Sequence, residues 1–285
     1  MNPIRSDPVC DVLEQRIAAI KKLWVPSAAL GSVAKVIAAM IDEPDDVRPT
    51  NLALISPANH GKSHLLDYIA TRRNGDAQAE GSDRIPVVSI LMPETPDPGA
   101  IVREFLSRLG AVHRGRRSLV DLWRALEVHV TELGVRLLTI DDAQNAAVFP
   151  NKSQAQVLNI LRGVGSRLRR PLVLAGTSLT QNLLDSDVQL RSRFRRAEIP
   201  KLTAAEDLQR FLKTFSERLP LEPKPNLADP ELAMLVADLV GGEIGSISKL
   251  VKAAAIEALR RGSPEIDADL LRKVSVEVPS THWLR

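Results

Sequence analysis

Residues 56–63 read Ser-Pro-Ala-Asn-His-Gly-Lys-Ser, which sets a lysine and a hydroxyl directly after a glycine. The apolar run Leu52 to Ile55 before them has the character of a short buried strand, and Leu65, Leu66 and Ile69 after them fall at helical spacing. Strand, loop and helix in that order make a phosphate cradle. Successive backbone N–H groups and the helix N-terminus face the anion, Lys62 spans the β- and γ-phosphates, and the Ser63 hydroxyl ligates magnesium. Ala58, Asn59, His60, Gly61 and His64 complete the set of residues expected around the nucleotide. One departure stands out: Ser56 occupies the place of the usual first glycine, and Pro57 stiffens the start of the loop.

Leu137 to Ile140 ends in Asp141-Asp142, two carboxylates at the carboxyl end of a second buried strand, where α/β sheets bind their ligands. Asp141 suits a magnesium ion, held mostly through water, and Asp142 suits the orientation or deprotonation of an attacking water. An acidic turn that helps to cap the next stretch of chain is the alternative reading. A third strand ends in Gly176-Thr177-Ser178, so the Thr177 hydroxyl falls beside both loops, to sense the γ-phosphate, to share the water, or simply to cap the helix at 179–184. In Gln189 to Arg196 the guanidinium groups of Arg191, Arg193, Arg195 and Arg196 crowd around Phe194. Burying them unpaired is costly, so they face solvent, nucleic acid or a neighbour's phosphates. A solvated face fits Arg195 and Arg196 better than Arg193.

These residues need a sheet with ordered strand ends. Apolar runs at 52–55, 87–91, 135–140 and 172–175, with a weaker one at 197–199, are separated by helix-length segments. That pattern predicts a parallel five-stranded α/β sheet covered on both faces. Two helices precede it within 9–41, separated by Trp24-Val25-Pro26-Ser27. After Pro200 the period becomes helical throughout, with a proline-rich break from 219 to 230 and helices at 231–240, 246–261 and 267–274. The expected divisions are an N-terminal helical segment over 1–50, an α/β nucleotide-binding domain over 51–200, a small all-helical domain over 201–276 and a tail over 277–285.

Composition narrows the class. In 285 residues the apolar fraction is 44% and the charged fraction 26%, which excludes collagenous, mucin-like and wholly disordered chains. A single cysteine, Cys10, excludes a disulfide framework, and no apolar run has membrane-spanning length, so a cytoplasmic protein without a membrane partner is expected. The net charge of +3 is too small to announce a nucleic-acid binder, and with aromatics at 3% there is little to build a base-stacking platform. Contact with DNA must come from local clusters. Arg114, Arg116 and Arg117 in a predicted loop are the candidates for sequence-independent phosphate contacts, with a solvated charge run as the alternative. Arg167, Arg169 and Arg170 close a helix, where cations are favoured in any case.

Taken in order, these elements resemble the AAA+ ATPases, and among them the TniB group of ATP-binding transposition regulators related to TnsC. The resemblance runs from the Trp24-Val25-Pro26 segment to the helical lid and carries Leu-Ala-Gly-Thr-Ser, Gln-Leu-Arg-Ser-Arg-Phe and Gly-Ser-Ile-Ser-Lys-Leu. It implies that Gly61-Lys62-Ser63 is Walker A, Asp141-Asp142 Walker B, Thr177 sensor 1 and Arg193 the arginine finger, with Val25 and Pro26 beside the adenine of ATP and Mg2+ at Ser63 and Asp141. It further implies a head-to-tail ring or helical filament on double-stranded DNA that recruits a transposase. A helicase-loader-like remodeller and a non-hydrolysing ATP-binding scaffold are the alternatives. Asp142 stands where Walker B usually has glutamate, and a carboxylate displaced by about 1 Å can lose on the order of 100-fold in rate, so slow hydrolysis is expected. Ser248 replaces the usual sensor 2 arginine, with Lys249 a weak substitute.

Overall fold

A computed structural model describes residues 8–44, 46, 48–111, 118–203 and 205–277. The chain divides into two compact units, one spanning 30–199 and the other made of the segments before 30 and after 199.

The first unit is built on five parallel strands: β1 (Asn51–Ile55), β2 (Val87–Leu91), β3 (Leu137–Asp141), β4 (Leu172–Gly176) and β5 (Phe194–Ala197), in the order β2-β3-β4-β1-β5. All residues of β3 and β4 are buried, as are the first four of β1. Successive side chains point to opposite faces, so such runs require cover on both. That cover comes from α3 (Lys62–Ala79), α4 (Pro98–Arg108), α5 (Leu119–Glu132), α6 (Asn151–Leu168) and α7 (Ser178–Asp185), together with α2 (Ala28–Asp42) from Leu30 onward. A short α8 (Val188–Arg193) leads into β5.

The fifth strand begins at Phe194, ahead of the apolar run 197–199 that marks it in the sequence, and pairs Asn51 with Phe194 and Leu54 with Ala197. As an edge strand it has a solvent-facing side, so Arg195 and Arg196 are accommodated there and the apolar criterion places the strand late. At the other edge, Asn74 of α3 takes up both polar groups of Val87, donating to its carbonyl at 2.9 Å and accepting from its N–H at 3.0 Å. Between strands β2 and β3 the Thr139 hydroxyl donates to that of Ser89 at 2.7 Å. Where α6 crosses α5, Gly163 is required: a Cβ there would stand 2.9 Å from the Trp123 ring.

The second unit joins α1 (Pro8–Lys22) to α9 (Ala205–Arg218), α10 (Pro230–Val240), α11 (Ile244–Arg260) and α12 (Ala268–Glu277). Sequence boundaries group α1 with α2, but long-range contacts draw α1 to the C-terminal helices. Arg16 donates to the Pro220 carbonyl at 2.7 Å and Lys252 to that of Lys21 at 3.0 Å, while Ile17 and Ile20 are buried. Such pairings span more than 200 residues of sequence and leave no local signal. Phe211 and Phe215 of α9 pack edge to face at 5.8 Å in its core. Among the described residues, no helix is long and apolar enough to cross a membrane.

Candidate functional site

The strand order puts the carboxyl ends of β3, β4 and β1 side by side, which brings the loops after them together. The loop after β1 has left-handed backbone at Asn59 (φ 61°) and Gly61 (φ 84°). At Gly61 a Cβ would also meet Leu30 Cδ1 at 3.1 Å, so position 61 needs glycine on two counts. Gly61 caps α3 without any side-chain cap bond, leaving the N–H groups of an 18-residue helix directed into the loop. Lys62 is buried, and its Nζ donates to the carbonyls of Ser56 at 2.6 Å and Pro57 at 2.7 Å. Desolvation lowers its pKa from the usual lysine value, while Asp141 and Asp142 nearby pull the other way.

Ser56 explains the departure from a first glycine. Its hydroxyl donates to the Ile55 carbonyl at 2.7 Å and accepts the Ile199 N–H at 2.7 Å, while its own N–H extends the ladder to Gly176 O at 3.0 Å. The side chain thus ties the start of the loop to the segment leaving β5. His60 is buried; Nδ1 lies 2.8 Å from the Ala58 carbonyl and must carry the proton there, and Nε2 is unpartnered among the described residues. Ser63, His64 and Ala58 are exposed, and Asn59 is half-buried.

After β3, Asp141 is buried and its Oδ1 accepts the N–H of Asp142 at 2.9 Å. Asp142 has left-handed backbone (φ 51°, ψ 38°) and opens a 3-10 turn, Ala143–Val148, without any side-chain cap bond. Its carboxylate instead accepts from Gln144 Nε2 at 2.9 Å. The acidic-turn alternative therefore lacks its cap. Thr177 does stand at the N-cap of α7, but its hydroxyl makes no cap bond either and is half-buried. Gln144 and Thr180, which sequence reading passes over, each bury an unpartnered oxygen here. An amide two residues beyond the acid pair is the one signal that marks the former.

Arg193 ends α8 half-buried, with no bond or ion pair among the described residues. Arg195 is exposed and Arg196 pairs with Asp185. Arg114, Arg116 and Arg117 lie outside the described residues. Two arginines of the second basic cluster are engaged internally: Arg167 pairs with Glu127 and sits 5.3 Å from the Trp123 ring centre, and Arg170 Nε donates to Val135 O at 2.6 Å, while Arg169 is exposed. In the helical unit Val25 is buried, whereas Pro26 lines a cleft of about 250 Å³ with Ala29, Leu202, Phe211 and Thr214. Lys249 is exposed and Ser248 half-buried on α11.

An uncapped helix N-terminus, a buried ammonium and two neighbouring carboxylates form a donor set that fits a nucleoside triphosphate with a divalent cation. Comparison with known proteins agrees on the fold. The bacterial TniB protein family matches this chain over residues 16–204. No curated protein matches it in sequence. The ORC1 protein of Aeropyrum pernix, solved in complex with DNA, is 18% identical, with 92% of this chain and 69% of that one covered at a TM-score of 0.67. The ORC2 protein of the same organism, solved as ADPNP-ADP complexes, is 18% identical over 93% and 73% at a TM-score of 0.64. Drosophila ORC bound to DNA is 13% identical over 99% and 71% at 0.58. The five-stranded parallel sheet with its helices is the AAA+ P-loop fold.

Proposed function

This chain belongs to the TniB family, and from that premise we propose that it is an ATP-dependent, DNA-binding regulator of transposition that assembles head to tail on target DNA, recruits a transposase and hydrolyses ATP slowly. The observation that carries the reading is the buried Lys62, held in a phosphate-type loop and facing Asp141 and Asp142. In this reading ATP, with Mg2+, supplies the phosphoanhydride bond that is cleaved. Lys62 and the N-terminus of α3 hold its phosphates, Ser63 and Asp141 bind the cation, and Asp142 orients the attacking water and takes its proton. Thr177 keeps its hydroxyl free of capping and orients toward the same water. Ala58, Asn59, His60, Gly61 and His64 line the loop, and Val25 and Pro26 serve the adenine side. Structures in complex with DNA among the similar folds support a duplex partner, for which Arg114, Arg116 and Arg117 supply phosphate contacts.

Arg193 serves a neighbouring subunit. It ends a helix at the sheet edge without a partner among the described residues, as a residue that acts in trans requires. Such heterologous contacts close into a ring or continue as a filament, and nucleotide binding at the border drives association by mass action. The test mixes Arg193→Ala with Asp142→Asn. Each alone should bind ATP and fail to hydrolyse it, while mixtures regain part of the activity because some borders join two intact halves. Failure of every mixing ratio, with Arg193→Ala still assembling like the wild type, sinks the assembly model.

A further inference from the structure

We infer that Gln144 is a positioning residue for hydrolysis, acting through Asp142; the inference rests on the ATPase reading above. Asp142 is one methylene shorter than the usual glutamate, and its left-handed backbone turns it away from a regular cap. A side chain in that setting needs something to fix its carboxylate. Gln144 Nε2 supplies it, donating to Asp142 Oδ1 at 2.9 Å. Because a carboxylate only accepts, the amide must present its nitrogen there, which sends Oε1 the other way. Oε1 is buried and unpartnered among the described residues, as is the hydroxyl of Thr180 on α7.

Both oxygens converge on Gly176, at the end of the strand that leads to Thr177. A Cβ on Gly176 would stand 2.8 Å from Gln144 Oε1 and 2.1 Å from Thr180 Oγ1, so the position needs glycine for both side chains to lie as they do. One amide therefore reaches from the water-activating carboxylate to the end of the neighbouring strand. A charge-assisted bond of this kind outweighs the rotamer freedom of a short side chain and leaves Oδ2 as the oxygen to act on the water. The geometry assigns to Gln144 the reach that Asp142 lacks.

Gln144→Glu keeps size and shape but replaces the donor with an acceptor, and Gln144→Met keeps the volume with neither. Both should lower kcat by about 10- to 100-fold, the scale of a carboxylate displaced by about 1 Å, with ATP affinity and thermal unfolding close to wild type. In the nucleotide-free protein, Asp142→Asn should shift the Gln144 side-chain amide resonance, a direct report of the bond. Wild-type kcat in both Gln144 variants overturns the inference. So does a fall in kcat matched by lost ATP affinity or lost stability, which marks simple packing, and so does an amide signal indifferent to Asp142→Asn. A wild-type protein that binds and hydrolyses no ATP removes the ATPase reading itself, a failure distinct from any of these.

Discussion

The two ends of the sheet treat polar groups in opposite ways. At the amino end they are partnered. Asn51, nearly fully buried, accepts the Leu172 N–H at 3.0 Å; Arg136 Nε donates to Ile41 O at 3.2 Å and its Nη2 to Glu43 O; Arg170 reaches Val135 O. At the carboxyl end the buried oxygens of Gln144 and Thr180 and the Nε2 of His60 lack partners among the described residues, and Lys62 carries a desolvated charge. Left-handed backbone does not separate the ends, because Arg169 at the amino end shares it with Asp142. Unpartnered polar atoms do. An end that gives up stability in this way is organised for something that arrives, and an end whose buried polar side chains are partnered among the described residues is organised to hold the sheet.

The largest expected effect breaks the carboxyl end. Lys62→Ala should weaken retention of labelled ATP by about 100-fold or more, roughly 2.7 kcal/mol, in a protein that still folds. Retention at wild-type level in a folded variant removes the phosphate-loop assignment. Next comes a pair of opposite sign, in which a buried polar side chain is made apolar at each end. Asn51→Leu leaves the Leu172 N–H buried without an acceptor and should cost about 1 to 3 kcal/mol in denaturant unfolding, with ATP affinity intact. Thr180→Val removes an unpartnered hydroxyl and should stabilise by about 1 kcal/mol. Two changes of the same sign erase the contrast.

Ser56→Gly restores the usual residue of a phosphate loop yet deprives Ile199 N–H of its acceptor, and should cost about 1 kcal/mol. A variant as stable as wild type shows that the tie to the segment leaving β5 carries no energy. The smallest effect is a pH dependence. Lys62 has a lowered pKa in the folded protein, so the unfolded chain binds the extra proton between that value and the usual lysine pKa. Stability should therefore rise with pH across this window, by at most about 1.4 kcal/mol per unit, and the rise should be missing from Lys62→Met. Parallel stability curves for the two proteins exclude it.

Legibility in the sequence divides along the same line. Strands β1 to β4 and the loops after three of them are legible, since continuous apolar runs and Gly-Lys-Ser, Asp-Asp and Gly-Thr are local signals. The existence of β5 is legible but its position is not, because an edge strand with Arg195 and Arg196 lacks the continuous apolar run of a central one and the run 197–199 overlaps it only at Ala197. Nor is the place of α1, fixed by bonds to residues more than 200 positions away. Within the site, Lys62, Asp141 and Asp142 are named by their spacing. Gln144 and Thr180 are not, since their meaning lies in converging on Gly176 from two different elements, a fact of the fold alone. Ser56 reads as a defect in a motif until the Ile199 N–H is seen to need it.

The bonds of Asn74 to Val87 bear on the same proposal from another side. A protein that joins its copies only when nucleotide is present must suppress every way of joining without it, and a bare strand edge is such a way: it offers a row of donors and acceptors to any passing chain. At the β2 edge Asn74 imitates the missing neighbour by taking the outward N–H and carbonyl of one residue. At the opposite edge the exposed Arg195 makes an approaching copy of that edge bring like charge against like charge, while Arg196 is paired with Asp185. In the proposed reading, closing the spontaneous routes would leave assembly to a border that nucleotide controls, so that its timing, and not merely its geometry, would rest on the margins of the sheet.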